Sequence, residues 1–312
     1  MLSPSLRSSR KKPRNDRQEG RPSLKPARFK YIAPSSAEDA VKYLAEYDGD
    51  ARCLSGGQSL IPLMNFRLLQ PAALIDLNKC PGLNYLRQED DELVIGPMTR
   101  QASVEHSDLV RKCCPLISEA MIYLGSPAIR NRGTIGGTLA HADRTAELPA
   151  VAVALGAKFL VLGPNGSRTI PAEEFFLGDL TTALQPDEML REIRFPVSAK
   201  SSRSAFVEAG NRHHDLALVG VAVSLSFSDN CISDARIVCH GAGPHPVRLT
   251  YAEDALIGKS VAPDLLDEAA SQSNLSIEPE GDIHASAQYR SAVLPRLVGR
   301  ALQRAVSDGV AA

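Results

Sequence analysis

Hydrophobic and polar positions along this chain switch repeatedly between helical and extended periods. Ala40, Val41, Leu44 and Ala45 recur at helical spacing, and Ser35 with Glu38 ahead of them has the form of a capping box. The short apolar run "ARCL" then reads as a strand leading straight into "SGGQSL". "AALIDL" and "ELVIGPMT", β-rich and bounded by Pro and Gly, predict two further strands. "SVEHSDLVRKCCPLISEAMIYLGS" predicts two helical pieces, broken before Pro115 and stopped at Gly125. "KFLVLGPNGSRTIPA" is two extended runs joined by Pro-Asn-Gly, the pattern of a hairpin, and "EMLREIRFP" is a strand closed by Pro196.

Beyond residue 200 the pattern changes. "SAKSSRSA" reads as a small-residue linker, followed by the apolar run "DLALVGVAVSLSF" and the strand "ARIVCHGAG". A long helix, "SAQYRSAVLPRLVGRALQRAVSD", closes the chain, with Pro295 as an expected kink. Strands and helices mixed in both halves predict an α+β architecture with its main boundary near residue 200.

Composition narrows the class. The chain has 312 residues, 44% hydrophobic and 23% charged, with a formal net charge of -1. Such a balance gives no electrostatic case for nucleic acid, and no apolar run is long enough to predict a membrane span. The first 30 residues differ: ten Lys and Arg between Arg7 and Lys30 face only Asp16 and Glu19, and residues 1–26 are expected to be a disordered basic leader. A nucleic-acid or targeting tail is the other reading of that segment. The six cysteines contain no C-x-x-C, assemble no zinc or iron–sulfur ligand set, and suit a reduced, cytoplasmic protein.

Two glycine pairs carry the candidate chemistry. Ser55-Gly56-Gly57-Gln58-Ser59 follows a predicted strand, and Thr134-Ile135-Gly136-Gly137-Thr138 precedes a helical run from Leu148. Glycine lets a backbone N–H approach a ligand closely, and successive N–H groups form a concave nest that suits phosphate. Two such nests could grip a pyrophosphate from both sides, although either pair alone also fits an ordinary turn. There is no G-x-G-x-x-G, and Gly258-Lys259-Ser260 is no P-loop, since position 253 is Glu.

"SGGQSLIPLMNFRL", "IRNRGTIGGTLAHAD", "AELPA", "NRHHDLALVGVAVSL" and "GAGPHPVRLTYAEDALIGK" occur in the order of one known family. The chain resembles the FAD-binding medium subunits of molybdenum hydroxylases, the carbon monoxide dehydrogenase and xanthine dehydrogenase type. That resemblance implies the p-cresol methylhydroxylase-type FAD fold over residues 27–200, with subdomains of about 27–77 and 78–200. A smaller α+β C-terminal domain over 201–312 follows. It implies FAD as the cofactor, with molybdopterin on a large partner subunit and [2Fe–2S] clusters on a small one, in a dimer of heterotrimers.

By the same resemblance, Leu54, Ser55, Gly56, Gly57, Gln58, Ser59 and Leu60 line one side of the FAD pyrophosphate. Thr134, Ile135, Gly136, Gly137 and Thr138 line the other. His141 lies within reach, or is an ordinary loop histidine. Glu147 is preferred over Asp143 for the ribose, Arg144 standing where relatives carry Pro. Leu190 packs near the flavin, or is a plain core leucine. Xanthine dehydrogenase-like members carry a lysine after the residue matching Phe206, beside the flavin; here it is Val207, with Arg212 and Asp215 nearby. Met64, Phe66 and Leu68 are expected either in the core or as an apolar patch toward the cluster-bearing partner. A free-standing FAD oxidase or dehydrogenase of this superfamily, and a non-catalytic assembly module, stand as alternatives.

Overall fold

The first helix starts one residue later than its sequence signature. In the computed structural model, which describes residues 24–212 and 214–307, Ser36 rather than Ser35 caps helix α1 (Ala37–Glu46), accepting from the Asp39 N–H at 3.0 Å. Ser35 instead donates to the Asp39 carboxylate, and Ala37 takes the core place expected for Ala45. Most of the basic leader, residues 1–23, lies outside the described residues.

Strands β1 (Lys30–Ile32), β2 (Ala51–Leu54) and β3 (Ala73–Asp76) form a parallel sheet with β3 in the centre. Every residue of β3 is buried, as a central parallel strand requires. Helix α2 (Leu60–Asn65) follows β2.

A five-stranded antiparallel sheet comes next, in the order β4 (Leu86–Glu89), β5 (Glu92–Ile95), β10 (Met189–Pro196), β6 (Lys158–Gly163) and β7 (Gly166–Pro171). The Pro-Asn turn joins β6 and β7 as expected. Between β5 and β6 run α3 (Gln101–Glu105), α4 (Asp108–Cys113), α5 (Pro115–Met121), α6 (Pro127–Arg130), α7 (Ile135–His141) and α8 (Glu147–Ala154). The break before Pro115 is present, but the chain breaks a second time, where Ser107 caps α4, giving three helical pieces instead of two. Helix α9 (Ala172–Phe175) and the short pair β8 (Phe176–Gly178) and β9 (Thr181–Thr182) precede β10.

The last sheet is antiparallel, β11 (Ser202–Gly210), β12 (Ala217–Ser228), β13 (Cys231–His240) and β14 (Val247–Arg248). The second half of the expected linker is strand: Ser202 and Ser204 pair with Ser226 and Ser224 at the half-exposed end of the ladder, where small polar residues mimic a linker. Helices α10 (Thr250–Leu256), α11 (Pro263–Ser271) and α12 (Ala287–Ser307) cover one face. Helix α12 runs through Pro295. Ser291, whose carbonyl Pro295 cannot engage, accepts from the Asn274 amide at 2.9 Å instead. The other face, through Phe206, Ala222 and Val238, joins the core of the five-stranded sheet. Helix α8 sits between them and is buried at all its positions, which explains its apolar sequence after Glu147. Among the described residues no helix is long and apolar enough to cross a membrane.

Candidate functional site

The first glycine loop leaves β2 at Leu54 and enters α2 at Leu60; Asp76 and Asn78 follow the matching end of β3. Both loops lie beyond the carboxyl ends of parallel strands, where open α/β sheets place ligands. A cavity of about 560 Å³ opens there, lined by Leu54–Gln58, Tyr31, Asp76 and Asn78, with Arg100 before α3 and Arg132 after α6 completing it.

Hydroxyls and amides lock the two glycine loops together. The Ser55 and Thr134 hydroxyl oxygens lie 2.8 Å apart. Ser55 Oγ also accepts from the Gly56 N–H at 2.6 Å, and Thr134 Oγ1 caps α7 by accepting from the Gly137 N–H at 3.0 Å. Asn78 donates to the Ser55 carbonyl at 2.9 Å and accepts from Arg100 at 2.7 Å, while the other Arg100 amino group donates to the Arg132 carbonyl.

This packing revises what the glycines are for. A Cβ on Gly56 would sit 2.4 Å from the Arg132 carbonyl oxygen, and one on Gly136 would sit 2.5 Å from Pro97. At these two positions the close approach is made by the protein's own chain. Gly57 differs, because its φ of +71° demands glycine and it faces the cavity.

The two loops also differ in what they leave free. In the second loop the N–H groups of Ile135, Gly136, Gly137 and Thr138 donate to Thr99, Pro97 and Thr134. In the first, the N–H groups of Gly57, Gln58 and Ser59 find no acceptor among the described residues. Three successive free donors beside a cavity form one nest, buttressed by the second loop rather than mirrored by it.

The remaining predicted residues separate. Thr138 accepts from the Gln101 amide at 2.7 Å, and Ile135 is core. His141 ends α7, roughly 10 Å from Thr134 by helical rise, and Glu147 lies beyond the following turn, buried as the first residue of α8. Asp143 is used locally, its carboxylate accepting from the Thr145 N–H and hydroxyl to turn the chain into α8. Arg144, in place of Pro, pairs with Glu280 at 3.0 Å. Leu190 is buried in β10 opposite Val161. Val207 faces the C-terminal core under α12, on the opposite sheet face from Phe206, and Arg212 and Asp215 are exposed on the β11–β12 turn. Sequence reasoning missed Tyr31, Asp76, Asn78, Arg100 and Arg132 as site residues, although Asp76 stands in the strand run "AALIDL" and Arg132 in "IRNRGTIGGTLAHAD".

Three titratable groups meet where α8 crosses the C-terminal sheet. Glu208, Gly220 and His240 form one row across β11, β12 and β13. Burial, with Asp143 adding repulsion, raises the Glu147 carboxyl to about 7. Burial and then the Glu147 charge raise Glu208 to about 8, and one of its oxygens has no hydrogen-bond partner. Burial lowers His240 to about 4.

Residues 27–198 match the family described as FAD binding domain in molybdopterin dehydrogenase. The chain belongs to this family. Residues 204–305 match the CO dehydrogenase flavoprotein C-terminal domain. The chain is 39% identical over 285 residues to the 6-hydroxypseudooxynicotine dehydrogenase complex subunit alpha of Paenarthrobacter nicotinovorans, covering 91% of this chain and 96% of that one. It is 38% identical to the carbon monoxide dehydrogenase medium chain of Hydrogenophaga pseudoflava, covering 90% and 98%. A chain of quinoline 2-oxidoreductase from Pseudomonas putida 86 superposes with a TM-score of 0.87 at 33% identity, covering 91% and 99%. These relatives are oxidoreductases, and their names place the matched chains in multi-subunit enzymes.

Proposed function

We propose that this chain is the FAD-carrying medium subunit of a cytoplasmic molybdenum hydroxylase. It passes electrons from a small subunit's [2Fe–2S] clusters to an external acceptor, beside a large molybdopterin subunit, in a dimer of heterotrimers. Residues 27–200 form the flavin-binding part, divided at about residue 77, and residues 201–312 form the C-terminal domain.

The observation that carries the cofactor reading is the row of free N–H groups at Gly57, Gln58 and Ser59. Gly57 and Gln58 line a cavity whose one carboxylate is already committed: Asp76 accepts from Tyr31, from the Asn78 N–H and from the Asn78 amide. Burial opposes ionisation of Asp76, but the hydrogen bonds from Tyr31 and Asn78 outweigh it and hold the carboxyl below its ordinary range. A diphosphate therefore meets donors there without facing an unsatisfied anion.

In this reading Leu54, Ser55, Gly56, Gly57, Gln58, Ser59 and Leu60 cradle the diphosphate. Thr134, Ile135, Gly136, Gly137 and Thr138 brace that cradle. His141 reaches the ribose side from the end of α7 and Glu147 from the start of α8, and Leu190 backs the flavin through the core. FAD, when bound, supplies the electron-carrying chemistry; the chain binds it, orients it and keeps water from it. Substrate choice rests with the large subunit. The test is to co-express the tagged chain with candidate large and small subunits. A yellow complex containing all three chains supports the reading, and a colourless chain purifying alone contradicts it.

A further inference from the structure

The cavity beside the first glycine loop holds two guanidinium groups in different states. Arg100 is committed, one amino group to the Arg132 carbonyl and the other to the Asn78 side chain. Arg132 is pinned at its backbone by that contact and by the approach of Gly56, yet its exposed side chain has no hydrogen bond or ion pair among the described residues. Asp76, the carboxylate in the same lining, is occupied by Tyr31 and Asn78. The cavity thus combines the unsatisfied N–H donors of Gly57 and Gln58, with that of Ser59 next in the chain, with one unpaired cation and, among the described residues, no available anion. Holding a guanidinium in this way, with the backbone fixed and the head free, matches planar two-point recognition of a phosphate.

We infer that Arg132 is a phosphate-binding residue of this cavity, closing over the diphosphate that the Gly57–Ser59 nest holds, with Arg100 as the residue that positions it. The inference rests on the FAD reading for its ligand, but the chemistry recognised is a diphosphate, which ADP shares and riboflavin lacks. Arg132 is exposed, so its contribution is screened by salt and adds to the salt dependence of binding.

The experiment titrates the flavin-free full chain and its Arg132→Ala and Arg132→Lys variants with FAD, ADP and riboflavin at low and high salt. Melting temperatures of the unliganded proteins verify that each variant is folded. Arg132→Ala should weaken FAD and ADP alike by about ten- to a hundredfold, the loss expected for one hydrogen bond to a charged group, and flatten the salt dependence. Arg132→Lys should recover part of the affinity, and riboflavin binding should not change. Equal FAD and ADP affinities in wild type and Arg132→Ala overturn the inference. Should wild type bind ADP through Arg132 but no flavin, the FAD reading fails while the phosphate assignment stands.

Discussion

The Ser55 hydroxyl of the first glycine loop lies 2.8 Å from the Thr134 hydroxyl of the second, so one hydrogen bond joins segments 79 residues apart. Thr134 also caps α7, and it is almost wholly buried. Thr134→Val keeps the shape but leaves Ser55 and the Gly137 N–H without that partner. It should cost about 1–2 kcal/mol of stability. Flavin content of the purified variant should fall with it. Calorimetry and absorbance check both; unchanged flavin content would separate the second loop from the site.

Gly56 and Gly57 should fail in different ways. A methyl on Gly56 meets the Arg132 carbonyl and the Gly133 Cα, both backbone, so Gly56→Ala should lower the melting temperature of the flavin-free chain by several degrees. A methyl on Gly57 meets only the Ile61 and Leu54 side chains at 3.2 Å, and its main cost is the left-handed backbone, about 1 kcal/mol. Gly57→Ala should therefore fold and lose flavin affinity. Equal melting temperatures for the two variants would contradict the assignment of Gly56 to loop closure.

Glu147 and Glu208 set a pH dependence. Both carboxyls titrate higher in the folded chain, at about 7 and about 8, than at their ordinary value of 4.5. Below about 4.5 folded and unfolded forms are equally protonated, so the pair costs nothing. As pH rises toward 8 the unfolded carboxyls ionise first, and folding loses stability across that window. Glu147→Gln should remove part of that slope, raising the melting temperature at pH 8 by about 3 °C or more while changing it little at pH 4.5. A variant less stable at both pH values would show that the carboxylate is satisfied in the fold.

How far the sequence reached can be judged residue by residue. The strands β3, β5, β6 and β10 are readable because their runs are short, rich in apolar residues and bounded by Gly or Pro, β7 because Pro-Asn-Gly folds it back on β6, and β2 because it runs into the glycine pair. The start of β11 was not, since Ser202 and Ser204 pack at a ladder end where nothing apolar is needed. The glycine pairs marked the right loops, but not the division of labour between them. That division depends on Arg132, Pro97 and Thr99 reaching the loops through tertiary contacts that no local pattern encodes. Asn78 and Arg100 escaped for the same reason: their roles exist only once three loops meet.

The end of α2 and the segment after it divide the expected apolar patch. Met64 is buried at 1% exposure, whereas Phe66 and Leu68 are 63% and 75% exposed. Met64→Ala should cost about 2–5 kcal/mol through the cavity it leaves. The pair Phe66→Ser and Leu68→Ser should leave the melting temperature of the isolated chain within about 1 °C, surface changes being nearly neutral. If this patch faces the cluster-bearing partner, the double variant should weaken assembly at least tenfold in a titration with that subunit. Assembly at wild-type affinity would place the partner elsewhere.

The central claim is that this chain carries FAD for electrons drawn from a partner. The most direct measurement is the anaerobic visible spectrum of the flavin-loaded chain, recorded alone and then with the large and small subunits. Dithionite should bleach the flavin of the isolated chain, and candidate hydroxylase substrates should leave it unchanged until both partners are added. Bleaching of the isolated chain by such a substrate would contradict the claim and identify a free-standing flavoenzyme.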